Sequence, residues 1–423
     1  MTRADHAPDR ASDRASDRAS SELRAEVLAA GLRSGLDRVG CCDAAPFDAT
    51  RQLLEERSAL GLHGGMQFTY RNPARSTDPD RTLSGVRSLV VGALGYAAPV
   101  PVPPPGPQGR VARYATEDHY ATLRAGLEQV AELLRAAGYR AIVCADENAL
   151  VDRAVAVRAG LGWSGKSANV LLPGQGSWFV LGSVLTDADL GDRPEPLPDG
   201  CGSCSRCIDG CPTAAIVAPG VVDARRCLAW HVQMEGDLPH EFREALGDRL
   251  YGCDECQEVC PPSRREEARI ETSADRTAQA DPTALLHPGA PSDRTAAQDP
   301  PAGSWVELIW VLTATDDELL ARLGRWYVPR RDPRYLRRNA LVALGNSIAE
   351  QHTMDATGTE VDELLSPYLD AQDDLLAGHA AWAALRIGRP DLLDTHRRRA
   401  SAVIAAERAR WPGAVPDGED GVR

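Results

Sequence analysis

The cysteines of this chain constrain its fold more than any other feature of the sequence. Eight of the eleven lie between residues 201 and 260, in the blocks Cys201-x2-Cys204-x2-Cys207-x3-Cys211-Pro212 and Cys253-x2-Cys256-x3-Cys260-Pro261, with Cys227 between them. Three thiolates in step, then a cysteine before proline, is the run with which bacterial ferredoxins hold iron–sulfur clusters, and in two-cluster forms the last cysteine of a run ligates the other cluster. Crossing over predicts one 4Fe–4S cluster on Cys201, Cys204, Cys207 and Cys260. It predicts a second on Cys211, Cys253, Cys256 and a fourth ligand, for which Cys227 is the candidate. Zinc ribbons also use C-x2-C pairs, but they need neither the third cysteine in step nor the repeated x3-Cys-Pro ending. Cys41, Cys42 and Cys144 are left over and read as buried free thiols.

A chain of 423 residues is long enough for two or three domains. No apolar stretch reaches the roughly 18 residues that a membrane span needs. The first residues repeat Asp-Arg-Ala-Ser, which is neither a signal peptide nor an apolar pattern that could fold, so 1–20 reads as a disordered tail and the chain as cytoplasmic. Reduced cysteine clusters suit that compartment. The net charge of −14 excludes a protein that coats nucleic acid with its whole surface.

Helical patterns at 23–36 and 119–137 alternate with β-rich runs at 88–94, 140–145 and 178–185, predicting an α/β domain over 21–199 with a mixed, mostly wound sheet. The proline-rich strip 99–109 reads as a stiff surface loop inside that domain. A ferredoxin-like domain follows at 200–263. Residues 264–303 are polar and aperiodic and read as a disordered insertion. Short amphipathic helices at 336–349, 360–368 and 375–387 predict HEAT-like paired helices over 304–400, with 401–423 as a tail.

Three further features bear on chemistry. Gly160-Leu-Gly-Trp-Ser-Gly-Lys-Ser167 satisfies both G-x-G-x-x-G and the P-loop pattern, but both need a strand before and a helix after, and here the order reads reversed. Lys166 is nonetheless the single lysine beside 46 arginines, so a compact ammonium has been kept where a planar guanidinium was the habit. Asp146 ends the apolar run 139–145, where α/β sheets place ligand-binding residues and a carboxyl can be desolvated enough to hold a proton; capping the next helix is its bland alternative. Arg325, Arg330, Arg331, Arg334, Arg337 and Arg338, interleaved with Trp326, Tyr327 and Tyr335, suit RNA phosphate contact with base stacking, or else a solvated helix face.

Together these residues resemble the epoxyqueuosine reductases. The cysteine blocks carry the resemblance, with His63-Gly64-x-Met66, Arg113-Tyr114-Ala115, Arg158 to Lys166, Gly176-Ser177-Trp178, Arg338-Asn339-Ala340 and Ala343 to Asn346. The resemblance implies an α/β cobalamin-binding domain, a two-cluster ferredoxin module and C-terminal HEAT-like helices. It also implies reduction of epoxyqueuosine to queuosine at the wobble position of tRNA. Carried over, it makes Asp146 the proton donor, places Arg71, Tyr114, Lys166 and Ser177 around the cobalamin, and sets Arg334, Arg337 and Arg338 against tRNA. Reduced flavodoxin or ferredoxin would supply electrons to a monomer. The chain departs from the family pattern after the acid (Glu147-Asn148-Ala149), after the last cysteine (Pro261-Pro262-Ser263), at Asp118-His119-Tyr120 and at Ala229-Trp230. Two other readings follow from the same residues: a corrinoid reductase of a small molecule, resembling reductive dehalogenases, and a non-catalytic electron carrier.

Overall fold

Ser88–Gly95 and Phe179–Thr186 are almost uninterrupted apolar runs, and both lie buried in the middle of a four-stranded sheet. The strand order is Arg38–Asp43, Ser88–Gly95, Phe179–Thr186, Ala141–Ala145. Every neighbouring pair is antiparallel. The expected wound sheet is thereby corrected. Its apolar runs come from burial on both faces, not from parallel pairing. Leu89, Val91 and Ala93 pack with Val155 and Ala156 of the helix Asp152–Arg158. On the alternate face, Gly92 leaves room for Leu127 of the helix His119–Ala136; a Cβ there would stand 3.0 Å from the leucine.

The computed structural model describes residues 10–191, 194–280, 303–396 and 401–411. The chain divides into two units, the first made of Met1–Pro99, Asp118–Arg225 and Glu255–Ala290, the second of Val100–Glu117, Arg226–Asp254 and Pro291–Arg423. Several sequence boundaries change. The proline-rich strip is no internal loop, because the chain enters the second unit at Val100. The ferredoxin-like segment is shared, its middle stretch belonging to the second unit. Two segments expected to lack structure are helical: Arg10–Arg33 begins inside the supposed tail, and Pro261–Ala280 occupies the start of the supposed insertion. Both are rich in Ala, Arg and Glu, good helix formers whose polarity hid the period. The rest of the insertion, 281–302, lies outside the described residues, as do 1–9.

In the second unit, Gln108–Val111 is the central strand of a three-stranded sheet between Arg249–Tyr251 and Trp305–Glu307. Helix Arg334–Gln351 forms the core of this unit, with Asp374–Arg386 packed against it and Thr359–Leu369 packed in turn against Asp374–Arg386. The tail expected from 401 includes a further helix, Ala402–Arg410, which buries Ile404 and Glu407.

Candidate functional site

The first unit brings together the cysteines that crossing over predicts for one cluster. Burial raises the Cys207 pKa, and the neighbouring charges that add to it are those of Cys260, Cys201 and Cys204. Cys260 is likewise raised by burial, opposed by hydrogen bonds from Ser263 and reinforced by Cys201 and Cys204. The last cysteine of the second block therefore stands among the first three of the first. Among the described residues, no group of three or more His, Cys, Asp or Glu is arranged to hold a single metal ion. Of the other predicted ligands, Cys211 and Cys256 belong to the first unit, Cys227 and Cys253 to the second. The Cys211 thiol accepts from the Ala215 amide at 3.2 Å, and Cys256 from Asn169 Nδ2 at 3.9 Å.

The segment after Cys260 is held by the motif Gly176-Ser177-Trp178. Ser177 N and Ser177 Oγ each lie 3.2 Å from Ser263 Oγ. Gly176 has φ +64°, and a Cβ there would stand 2.4 Å from Ser263 Cα, so glycine is required twice over. Ser177, expected at a cobalamin, is buried and engaged here. Lys166, expected at the same place, is also committed elsewhere: its ammonium donates to Gly202 O at 2.7 Å and Cys204 O at 2.9 Å. Its surroundings also dispose of the P-loop match, because Trp163–Ser164 and Val170–Leu171 pair as an antiparallel hairpin with no helix following the lysine.

Asp146 sits one residue past the strand Ala141–Ala145, in left-handed backbone with φ +52°, a conformation non-glycine residues rarely adopt. It is no helix cap, because the next helix starts at Asp152 with Val151 as its N-cap. The side chain reaches solvent, yet it is crowded enough that desolvation raises its pKa. Arg124 opposes that shift and Glu147 adds to it. Arg124 anchors the same corner by donating to the Ala145 carbonyl and, at 3.0 Å, to Glu147. Tyr120 and Asp152, which sequence reasoning missed, share this field: burial raises both, and the Asp146 charge raises both further. Their separation in sequence left no local signal. The sheet register sets Gly95 opposite Phe179 and Ala145 opposite Gly182, so Asp146, Tyr96 and Ser177 come to the same end of the sheet. Tyr96 donates to Gln257 at 3.3 Å. That end thus carries both the acid and the contacts to the cluster segment. Arg71 is exposed in a turn of the same unit.

In the second unit, Tyr114 accepts from Gln233 at 3.3 Å and packs near Tyr251, and the Arg113 amide donates to Asp254 at 2.8 Å. The arginine stretch is divided. Arg338, expected on tRNA, is fully buried: it donates to Met234 O at 2.9 Å, Gly236 O at 2.6 Å and His231 O at 2.8 Å. Burial lowers its pKa to about 10. It cannot reach a phosphate, and its place on tRNA is withdrawn. Asn339 works beside it, donating to Val232 O at 2.8 Å and Leu250 O at 3.1 Å. The Arg338-Asn339 motif therefore ties down the chain that follows Cys227 and precedes Cys253. Arg334 is exposed and paired with Asp332, whereas Arg337 is partly buried against Asp316.

The model of the 4Fe-4S double cluster binding domain matches residues 200–263. An epoxyqueuosine reductase of Bacillus anthracis is 30% identical over 361 residues, covering 84% of this chain and 86% of the relative. The chain belongs to the epoxyqueuosine reductase family. The enzyme of Bacillus subtilis is 31% identical over 364 residues, 84% of this chain and 85% of its own. A crystal structure of an epoxyqueuosine reductase with an epoxyqueuosine-modified tRNA-Tyr stem loop superposes with a TM-score of 0.76 and 27% identity, over 92% of this chain and 98% of that one. Another, from Bacillus subtilis, has its catalytic aspartate loop swung out of the active site and superposes at 0.75.

Proposed function

We propose that this epoxyqueuosine reductase converts epoxyqueuosine to queuosine at the wobble position of tRNA. The observation that carries the proposal is the 30% identity across 84% of the chain, which takes in the acid, the cysteine blocks and the late helices together. Removing the epoxide oxygen to leave an alkene consumes two electrons and two protons and releases water. We assign one cluster to Cys201, Cys204, Cys207 and Cys260, and the other to Cys211, Cys227, Cys253 and Cys256. The grouping of Cys260 with the first block supports the crossover. These clusters would pass electrons singly from reduced flavodoxin or ferredoxin to the reaction centre.

Cobalamin is the second cofactor in this proposal, and when bound it would supply the strongly reducing centre that removes the oxygen. The fit rests on His63 Nδ1 and Trp163 Nε1, both inside family motifs, which are buried without a hydrogen-bond partner among the described residues, a state that native polar groups seldom keep. Arg71 and Tyr114 remain proposed contacts, while Lys166 and Ser177 do not. Asp146 protonates the departing oxygen, because an alkoxide leaves poorly without a general acid. The desolvation that raises its pKa keeps the proton available at higher pH than a free aspartate could. A Bacillus subtilis epoxyqueuosine reductase has its catalytic aspartate loop swung out of the active site, and Asp146, in left-handed backbone just past a strand, is proposed as the counterpart of that aspartate.

The helices Arg334–Gln351, Thr359–Leu369 and Asp374–Arg386 are proposed as HEAT-like pairs, with Arg334 and Arg337 as RNA contacts. The protein is proposed to work as a cytoplasmic monomer; no helix among the described residues is long and apolar enough to cross a membrane. The test is made in a bacterium lacking its own epoxyqueuosine reductase. Expressing this chain should convert tRNA epoxyqueuosine to queuosine, read by mass spectrometry of digested tRNA. Epoxyqueuosine persisting beside abundant, iron-loaded protein would overturn the assignment.

A further inference from the structure

The segment that mimics a P-loop has a different task. Its hairpin closes tightly: Gly165 N donates to Asn169 O at 2.8 Å, and Ala168 N to Gly165 O at 3.0 Å. Gly162 permits this closeness, because a Cβ there would stand 2.3 Å from Leu171 O. From the tip, two side chains reach in different directions. The Lys166 ammonium grips the carbonyls of Gly202 and Cys204, inside the loop between the first three cysteines. Asn169 Nδ2 points at the sulfur of Cys256 in the other block. The backbone of the hairpin is held as well, since Gly220 N donates to Lys166 O at 2.9 Å and Gly200 lies under the Trp163 ring, where a Cβ would meet it at 2.5 Å.

We propose that the hairpin Trp163–Leu171 is a clamp on both cluster loops, in which Lys166 positions the Cys201–Cys207 loop and places a fixed positive charge beside its cluster, while Asn169 donates to a sulfur of the other. The proposal rests on the two-cluster reading. Reduction adds a negative charge to a cluster already surrounded by four thiolates. A cation in its loop stabilises the reduced form more than the oxidised one, and net charge and hydrogen bonds to sulfur are the terms that set such potentials.

The test is a redox titration of anaerobically prepared, cluster-loaded protein followed by electron paramagnetic resonance. The first cluster is identified by the signal lost in Cys204→Ala. Lys166→Met should make the first cluster harder to reduce, by about tenfold in its reduced-to-oxidised ratio at fixed potential, or ~59 mV for a one-electron couple. The second cluster should not move. Lys166→Arg, which keeps the charge, should stay near wild type, and Asn169→Leu should move the second cluster alone. Should Lys166→Met fail to hold its first cluster at all, retention of iron by Lys166→Arg still supports the proposal and its loss there overturns it. Equal shifts in the Met and Arg variants, or none in either, also overturn it, as does a loss of cobalamin binding with unchanged potentials. Wild-type protein without iron would instead sink the two-cluster reading beneath it.

Discussion

The proton-donor role proposed for Asp146 rests on two local facts, a carboxyl whose pKa is raised by desolvation and a backbone that turns it out of the strand. Asp146→Asn should leave folding and iron content intact while single-turnover reduction falls by about 10²–10⁴. Because the folded pKa is raised, the protonated form survives above the usual aspartate range. Wild-type turnover should then decline as pH rises through that value, and the residual activity of the Asn variant should lose this limb. The same shift means that folding binds a proton, so the contribution of Asp146 to stability weakens with rising pH. Cys260→Ala should abolish the cluster of the first block, despite lying in the second, and iron analysis with paramagnetic resonance reads this out; loss of the other signal alone would contradict the crossover. Arg338→Ala should cost on the order of 3 kcal/mol, because buried carbonyls lose their donor, and calorimetry measures it. Arg334→Gln with Arg337→Gln should instead flatten the salt dependence of tRNA binding, by roughly 0.7–0.9 in slope per lost phosphate contact, with little change in Tm. The double-cluster domain was legible because the cysteine spacing carries the chemistry. Arg338 was misread because an arginine in a charged run looks the same in sequence whether it meets a phosphate or three carbonyls.

At the scale of elements, the strands Ser88–Gly95 and Phe179–Thr186 and the helices His119–Ala136 and Arg334–Gln351 were legible within a few residues. Their pairing was not. A run buried on both faces reads alike in parallel and antiparallel sheets. The helices Arg10–Arg33 and Pro261–Ala280 escaped because polar residues dominate them, although Glu266 is buried and paired with Arg269 at 2.7 Å. The motif Gly176-Ser177-Trp178 was visible as a resemblance, and the structure gives it a cause in the approach of Ser263. Gly176→Ala should therefore strain both backbone and contact, costing about 1–3 kcal/mol. It should also speed iron loss to a chelator, since the chain leaving Cys260 is loosened; unchanged Tm and iron retention would show that the contact does not matter.

At the scale of the molecule, the cysteine segment matches a double-cluster domain over 200–263, while its middle stretch clusters with the unit that holds the late helices. No pattern in one sequence reveals such a division, which depends on contacts distant in the chain. The helix Ala402–Arg410 shows how far that second unit extends: Glu407 lies 3.0 Å from Arg243, both nearly fully buried, as an ion contact with poor hydrogen-bond alignment. Glu407→Ala strands a buried guanidinium and should cost about 3–5 kcal/mol, visible as a lowered Tm without any change in the iron of the first cluster. The central claim is that acid and clusters serve one reaction on one RNA. The direct measurement is an anaerobic single turnover of an epoxyqueuosine-modified tRNA stem loop by purified, iron-loaded protein with cobalamin and a reductant, with the digested nucleosides read by mass spectrometry. The account predicts queuosine, one oxygen lighter than its precursor, from wild type and almost none from Asp146→Asn. Unchanged epoxyqueuosine with wild-type protein carrying both clusters and cobalamin would contradict it.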